Sequence, residues 1–538
     1  MMLNDRLPRS ELEHALKEYW NPLNFILKEI SGGDAPDIDT KEMMGKLHHA
    51  LNISSYKKKE FRIKLLKYAD QKKCTKFFNR VGISASVQDH DAYKKCIEKA
   101  SRLPWGHNDE TRAFIQEFGY DESMMPDPTQ ERESEFMVRA KRPLRMLKEY
   151  QSKIFYDGMR LVENPWTRFI IKMPTGAGKT RTALEIVSNF LNNGIEANEK
   201  RQVVWLADRE ELCEQAIDSM YEIWSHLGKD ELGIYRVWGN SAPENFKPNA
   251  FIVATYQKLN NLLGTDKFPR PELVVADEAH NVIARTHRNV VRQLEENGTR
   301  IIGLTATPIR GVESPENKEL REYFNEMIIE IDSGDMDNIT YLQSKGYLAY
   351  CEPETIQSNR EFSLSREQRR KYADDHDIPL DLLDNIAADN KRNIVIADKL
   401  KKLITDEKQI LYFAPNVAQS KLMCAIILSL GGNAAHVDGN TPIEYRRDVI
   451  SKFKANKINC ICNVNVFSVG FDAPNIDAVF IARPTRSIVL HQQMIGRGMR
   501  GPRMGGTKQF ELIRILDILP SIELADEYFT DIWKFSPQ

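Results

Sequence analysis

Pro174-Thr175-Gly176-Ala177-Gly178-Lys179-Thr180 gathers two glycines, a lysine and a hydroxyl in one short run. That combination is what a phosphate cradle requires. Gly176 and Gly178 let backbone N–H groups turn inward, and the helix expected to begin near Arg181 adds the positive end of its dipole. Lys179 reaches the β- and γ-phosphates, and Thr180 offers a hydroxyl to magnesium. Met173 stands where the longer form of this pattern has its first glycine, while the short form is intact. Gly-Lys-Thr alone also suits an ordinary strand-to-helix turn, so its weight depends on chemical partners further along the chain.

Roughly a hundred residues on, Asp277-Glu278-Ala279-His280 follows the apolar run at 273–276, which places two carboxylates at the end of a buried strand. Asp277 can hold magnesium through water, and Glu278 can orient and deprotonate an attacking water. Together with the glycine loop the pair points to nucleotide hydrolysis. Leu304-Thr305-Ala306-Thr307-Pro308 then ends another strand-like run, with the hydroxyls of Thr305 and Thr307 placed to sense the phosphate state. Further on, Gln493-Met494-Ile495-Gly496-Arg497-Gly498-Met499-Arg500 reads as helical. Arg497 and Arg500, three apart, then share one face, from which two guanidinium groups would neutralise charge developing on a γ-phosphate.

The elements that must position these groups form two similar series. Strand-like runs at 168–173, 202–207, 251–255, 273–277 and 301–305 alternate with helical stretches, the pattern of a parallel sheet flanked by helices. A second such series has runs at 409–413, 434–437, 459–463, 478–482 and 510–516. Residues 1–120 instead show helical spacing, as in Leu12-Leu16-Tyr19-Leu23, Met43-Leu47-Leu51 and Phe114-Ile115-Phe118. The expected division is an α-helical accessory domain at 1–120, a linker at 121–140, a first α/β domain at 141–330, a charged helical connection at 331–408 and a second α/β domain at 409–538. Two such domains side by side create a cleft.

Net charge near −2 excludes a uniformly basic coat, so nucleic-acid binding would use local patches. One is the segment 57–80, where Lys57, Lys58, Lys59, Arg62, Lys64, Lys67, Lys72, Lys73, Lys76 and Arg80 face only Glu60 and Asp70. It reads either as a solvated helix face or as a phosphate-backbone surface. The seven cysteines show no framework spacing, and Cys460 and Cys462 alternate as buried strand residues rather than as a metal half-site. The scattered histidines lack ligand spacing. No signal-peptide core and no apolar run of the ~20 residues a span needs implies a cytoplasmic protein without a membrane partner.

Taken in order, the motifs resemble those of superfamily 2 helicases of the DEAD/DEAH-box type, and within them the RadD-like and type III restriction helicase-subunit group. The matching positions are Leu147 to Gln151, Pro174 to Thr180, Ala207 to Leu212, Ala254 to Gln257, Asp277 to His280, Thr305 to Pro308, Val469 to Pro474 and Gln493 to Arg500. The resemblance implies two tandem RecA-like P-loop domains, with ATP and Mg2+ as cofactors. It also implies roles for individual residues. Gln151 would read the adenine edge with Tyr150 nearby, Asp472 would approach the ribose or nucleotide, and Gln493 would lie in the γ-phosphate region. His280 would couple the domains through Thr305 or Gln493, while Arg209, Thr255, Gln257 and Asn416 would face nucleic acid. The chain departs from RadD-like proteins in its extra helical domain and in having no cysteine cluster after the core.

Three functions are compatible with these residues. The first is an ATP-dependent helicase or translocase on single-stranded or forked nucleic acid, with DNA preferred to RNA on the resemblance alone. The second is a nucleic-acid-triggered ATPase subunit working with a nuclease or other defence subunit. The third is a non-catalytic nucleic-acid scaffold, which the intact Lys179, Asp277, Glu278, Arg497 and Arg500 disfavour.

Overall fold

The computed structural model describes residues 8–33, 36–51, 59–84, 90–104, 108–118, 135–138, 146–239, 241, 243, 245–263, 268–295, 298–306, 315–363, 377–441, 443–464, 466 and 475–520. Two mainly parallel sheets carry the fold. The first contains β1 (Glu135–Val138), β2 (Arg168–Lys172), β3 (Gln202–Ala207), β4 (Leu232–Val237), β5 (Ala250–Thr255), β6 (Leu273–Ala276), β7 (Arg300–Thr305) and β8 (Ile328–Glu330), in the order β1-β4-β5-β3-β6-β7-β2-β8. Only β1 runs antiparallel to its neighbour. The second contains β9 (Tyr350–Glu361), β10 (Ile410–Phe413), β11 (Ala434–Val437), β12 (Cys460–Asn463), β13 (Ala478–Ile481) and β14 (Gln509–Ile518), in the order β11-β12-β10-β13-β14-β9. All its pairings are parallel.

Central strands such as β6 and β10 are buried along their whole length, which is why they read as unbroken apolar runs. Alternate residues point to opposite faces and so belong to different cores. Phe169, Ile171, Val203 and Trp205 enter a core shared with Leu411, Phe413, Val479 and Ile481 of the second sheet. Ile170, Val204 and Leu206 enter a core on the outer face of the first sheet. Ile410, Tyr412, Cys460, Cys462 and Phe480 point outward from the second sheet. One apolar cluster, which includes residues of the intervening helices, thus runs through both α/β lobes.

The outward core of the second lobe is closed by the N-terminal helices. Leu12, Leu16, Leu23, Leu47, Phe77 and Phe114 share one cluster with Ile396, Leu400, Met423 and Ile426. The helix Arg9–Ile30 packs on the helices Asn390–Thr405 and Val417–Ser429, and Lys401 Nζ donates to the Ile30 carbonyl at 3.0 Å. The accessory domain precedes the first lobe in sequence but rides on the second.

Residues 331–408, expected to be helical, also supply β9, a twelve-residue strand paired to β14. Its alternation was masked by charges on the exposed side of an edge strand. Arg392 and Asp517, both fully buried, lock the following helix to β14, with Arg392 Nε 2.9 Å from Asp517 Oδ1. All seven cysteines are buried and free, and Cys460 and Cys462 lie on β12 as expected. Among the described residues there is no cluster fit to hold a metal through His, Cys and acidic ligands, and no helix long and apolar enough to cross a membrane.

Candidate active site

The glycine loop joins β2 to the helix Lys179–Glu196, and its shape depends on two left-handed positions, Gly176 at φ 83° and Gly178 at φ 82°. A Cβ at residue 178 would also meet Gln151 Nε2 at 2.4 Å. Tyr150 Oη and Gln151 Nε2 both donate to the Ala177 carbonyl, at 2.8 and 3.1 Å, and Gln151 Oε1 accepts from the Lys148 N–H. Both side chains expected near the adenine therefore brace the cradle itself. Met173 N–H donates to the Thr305 carbonyl, fastening the loop to the end of β7.

Asp277 and Glu278 leave β6 beside this loop. Glu278 sits in left-handed backbone at φ 51°, an uncommon state for a residue with a side chain and one often kept where geometry serves chemistry. Lys179 Nζ is 3.8 Å from Glu278 Oε1, and His280 Nδ1 is 3.6 Å from Oε2. Burial favours a protonated Glu278. Lys179, His280 and Arg497, with a hydrogen bond from Gln493, overcome it and hold the carboxyl below the ordinary glutamate range. Asp277 goes the other way. Burial, helped by the charge on Glu278 and opposed by Lys179, pushes its carboxyl up to about 6. Burial also lowers His280, against the pull of Glu278.

One carboxylate, Glu278, is therefore approached from both lobes: by Lys179 and His280 from the first, and by Gln493 and Arg497 from the second. The lobes touch there. A Cβ at Gly496 would meet Thr175 Cγ2 at 2.4 Å, so only glycine lets the two loops approach so closely. Arg497 and Arg500 do not share a helical face, however. The helix Ile488–Ile495 ends before them, residues 496–498 form a hydrogen-bonded turn, and the chain then pairs with 348–349, where Ala349 N–H donates to the Met499 carbonyl and Leu348 bridges Arg500. Gly498 leaves room for Phe510 of β14, which a Cβ there would meet at 2.4 Å. Arg497 reaches the carboxylate cluster from the turn, while Arg500 is positioned separately by the bridge.

Among the remaining expected residues, Thr180 is half-buried in the first turn of its helix and Thr305 is fully buried at the end of β7. Thr307 and Asp472 lie outside the described residues. Arg209, Thr255, Gln257 and Asn416 all follow the carboxyl ends of strands, on the same edges as the cradle. Arg209 and Gln257 are exposed. Thr255 and Asn416 also serve as helix caps: Thr255 Oγ1 accepts from Lys258 N–H at 3.3 Å, and Asn416 Oδ1 from Gln419 N–H at 2.9 Å. Sequence reasoning missed Asp208. It accepts from Asn281 Nδ2 and lies 3.7 Å from His287 Nδ1, beside the turn that follows β6. Its position beside Arg209 was the available signal.

The residues present fit a magnesium-bound nucleoside triphosphate. The loop has the glycines such a cradle needs, a lysine points to its mouth, and a buried carboxylate with its charged form disfavoured calls for a cation.

Residues 145–310 match the family model described as "Type III restriction enzyme, res subunit", and residues 395–502 match "Helicase conserved C-terminal domain". IRC3 of Saccharomyces cerevisiae, named as an ATP-dependent helicase, is 25% identical over 66% of this chain and 49% of its own. A 51.5 kDa protein of a Lactococcus phage is 25% identical over 62% of each chain. The Hef helicase domain of Pyrococcus furiosus, a solved structure, is 17% identical with a TM-score of 0.44, covering 72% of this chain and 98% of that one. The match spans between about half and three fifths of these curated relatives' length. Two RecA-like lobes closed over a P-loop define the helicase class of P-loop proteins. The two matches together support a superfamily 2 helicase of the type III restriction-like group.

Proposed function

We propose that the protein is an ATP-dependent DNA helicase or translocase. The observation that carries the reading is the convergence of Lys179 from one lobe and Arg497 and Gln493 from the other on Glu278. Lys179 and the backbone of residues 175–179 bind the phosphates, with Thr180 and Asp277 at the metal. Magnesium, when bound, neutralises charge on the β- and γ-phosphates. Glu278, held ionised, accepts the proton of the attacking water, and Arg497 meets charge that develops on the leaving side. Hydrolysis removes the ligand that bridges the lobes. If Arg209 and Gln257 on one lobe and the rim near Asn416 on the other grip a strand differently before and after, each cycle moves the protein.

DNA rather than RNA rests on the type III restriction resemblance. The same resemblance, with the helical domain presenting an extra surface on the second lobe, supports a second reading: a nucleic-acid-triggered ATPase subunit that works with a separate nuclease or defence subunit. Steady-state ATPase assays with single-stranded, duplex and forked DNA and with RNA test both. Stimulation by DNA that vanishes in Glu278→Gln, by roughly 10²- to 10⁴-fold with nucleotide binding retained, is expected. Turnover indifferent to every polynucleotide sinks both readings, whereas stimulation without displacement of a forked strand selects the second.

A further inference from the structure

The helix Arg9–Ile30 lies alongside Asn390–Thr405 on the second lobe, and its two ends sit at different heights. Ile30 is tied to Lys401, close to where that helix turns into the amino end of β10. At about 1.5 Å per residue, Glu11 stands roughly 28 Å from Ile30, whereas Asn390 is only roughly 16 Å from Lys401. The amino end of the first helix therefore overhangs the carboxyl rim of the sheet, the edge that carries Asn416. Asp438, just beyond the carboxyl end of β11, acts on the Tyr19 hydroxyl partway along, which agrees with that direction.

The helices Lys59–Tyr68 and Gln71–Arg80 are fastened at this overhang. Lys64 Nζ lies 2.6 Å from Glu11 Oε2, and Tyr68 Oη donates to Glu11 Oε1 at 3.5 Å. Their apolar side, with Leu65, Leu66, Phe77 and Phe78, is buried in the bundle. Several of their cations are committed to structure: Arg62 is buried and donates to the Ser101 carbonyl, and Arg80 meets Gln116 and Glu117. Lys67, Lys72 and Lys76 are exposed and Lys73 is half-exposed. Among the described residues none of these four pairs with a carboxylate.

We propose that Lys67, Lys72, Lys73 and Lys76 form a second strand-binding surface, gripping the phosphate backbone of the DNA strand where it leaves the helicase core. The inference rests on the reading of the protein as a DNA-acting ATPase, but it is tested by binding alone. Because the bundle shares a core with the second lobe, this grip travels with that lobe and adds to its hold on the strand without touching the ATP site.

The test uses the full chain and labelled oligothymidine of about 10 nucleotides, enough for a core footprint, and of about 30. Lys67, Lys72, Lys73 and Lys76 are changed together to Gln; a control carries Gln at Lys17, Lys28, Lys94 and Lys95, exposed lysines of the same domain. The unaltered chain should bind the longer strand more tightly and with a steeper salt dependence. The first variant should lose that difference, its log K against log salt slope falling by up to about three, near 0.7 for each lost phosphate contact. Its DNA-free ATPase and the control's binding should not change. An unaltered slope in the first variant, or an equal loss in the control, overturns the proposal. Absent DNA stimulation of the unaltered chain's ATPase would instead overturn the functional reading.

Discussion

Asp277 and Glu278 are neighbours with opposite tendencies, and each is set by what faces it. Asp277 looks into the closed interior, so its carboxyl rises from 3.8 to about 6. Between those values the folded protein holds a proton that the unfolded chain has released, and stability falls as pH rises through the window. Asp277→Asn should therefore stabilise the metal-free protein at pH 7.5 by on the order of 2 kcal/mol. That gain should shrink as pH drops from 6 towards 4, a trend read by thermal melts across pH; a constant difference would refute the assignment. Glu278 stays ionised because cations of both lobes surround it. Arg497→Lys, which keeps charge but loses the planar fork, should lower DNA-stimulated turnover by about 10³-fold while nucleotide affinity changes far less. Single-turnover and binding measurements separate the two effects.

At the scale of elements, the turn that carries Glu278 depends on close packing beneath it. Gly303 of β7 lies where a Cβ would meet Phe324 Cζ at 2.7 Å and Ala279 Cβ at 2.8 Å. Both neighbours are rigid and buried. Gly303→Ala should cost about 1–3 kcal/mol and displace the turn that starts at Ala279, so melting temperature and turnover should fall together. Turnover lost with an unchanged melt would contradict that coupling. The turn after Ile495 shows the same principle from the other side. There the glycines at 496 and 498 allow close approach of Thr175 and Phe510, and pairing of residues 499–501 with 347–349 sets the path of the chain just after Arg497.

Across the whole molecule, the second lobe is sandwiched between the first lobe and the helical domain. Its two faces thus belong to different cores. Leu400 is fully buried in the outer one. Leu400→Ala should destabilise by about 2–5 kcal/mol, with hydrogen exchange quickening in Arg9–Ile30 and in β10 while β3 keeps its protection. Faster exchange confined to the second lobe would mean that the helical domain is held independently. A bundle sharing a core with one lobe moves as that lobe moves, which makes it a lever on whatever the lobe grips.

The two sheets, the cradle and the carboxylate pair after β6 were legible in the sequence because each depends on local order. Buried parallel strands are continuous apolar runs, and a phosphate loop needs its glycines, lysine and hydroxyl adjacent. β4, with its arginine and glycine, and β9, with its charged exposed edge, lacked that signal. Other features arise from contacts between segments distant in the chain: the seat of the helical domain on the far lobe, the bracing of Ala177 by Tyr150 and Gln151, and the meeting of Arg497 with Glu278. Those are decided by which surfaces exclude water together. Local sequence fixes the faces that must be buried; only the folded chain fixes which faces bury each other.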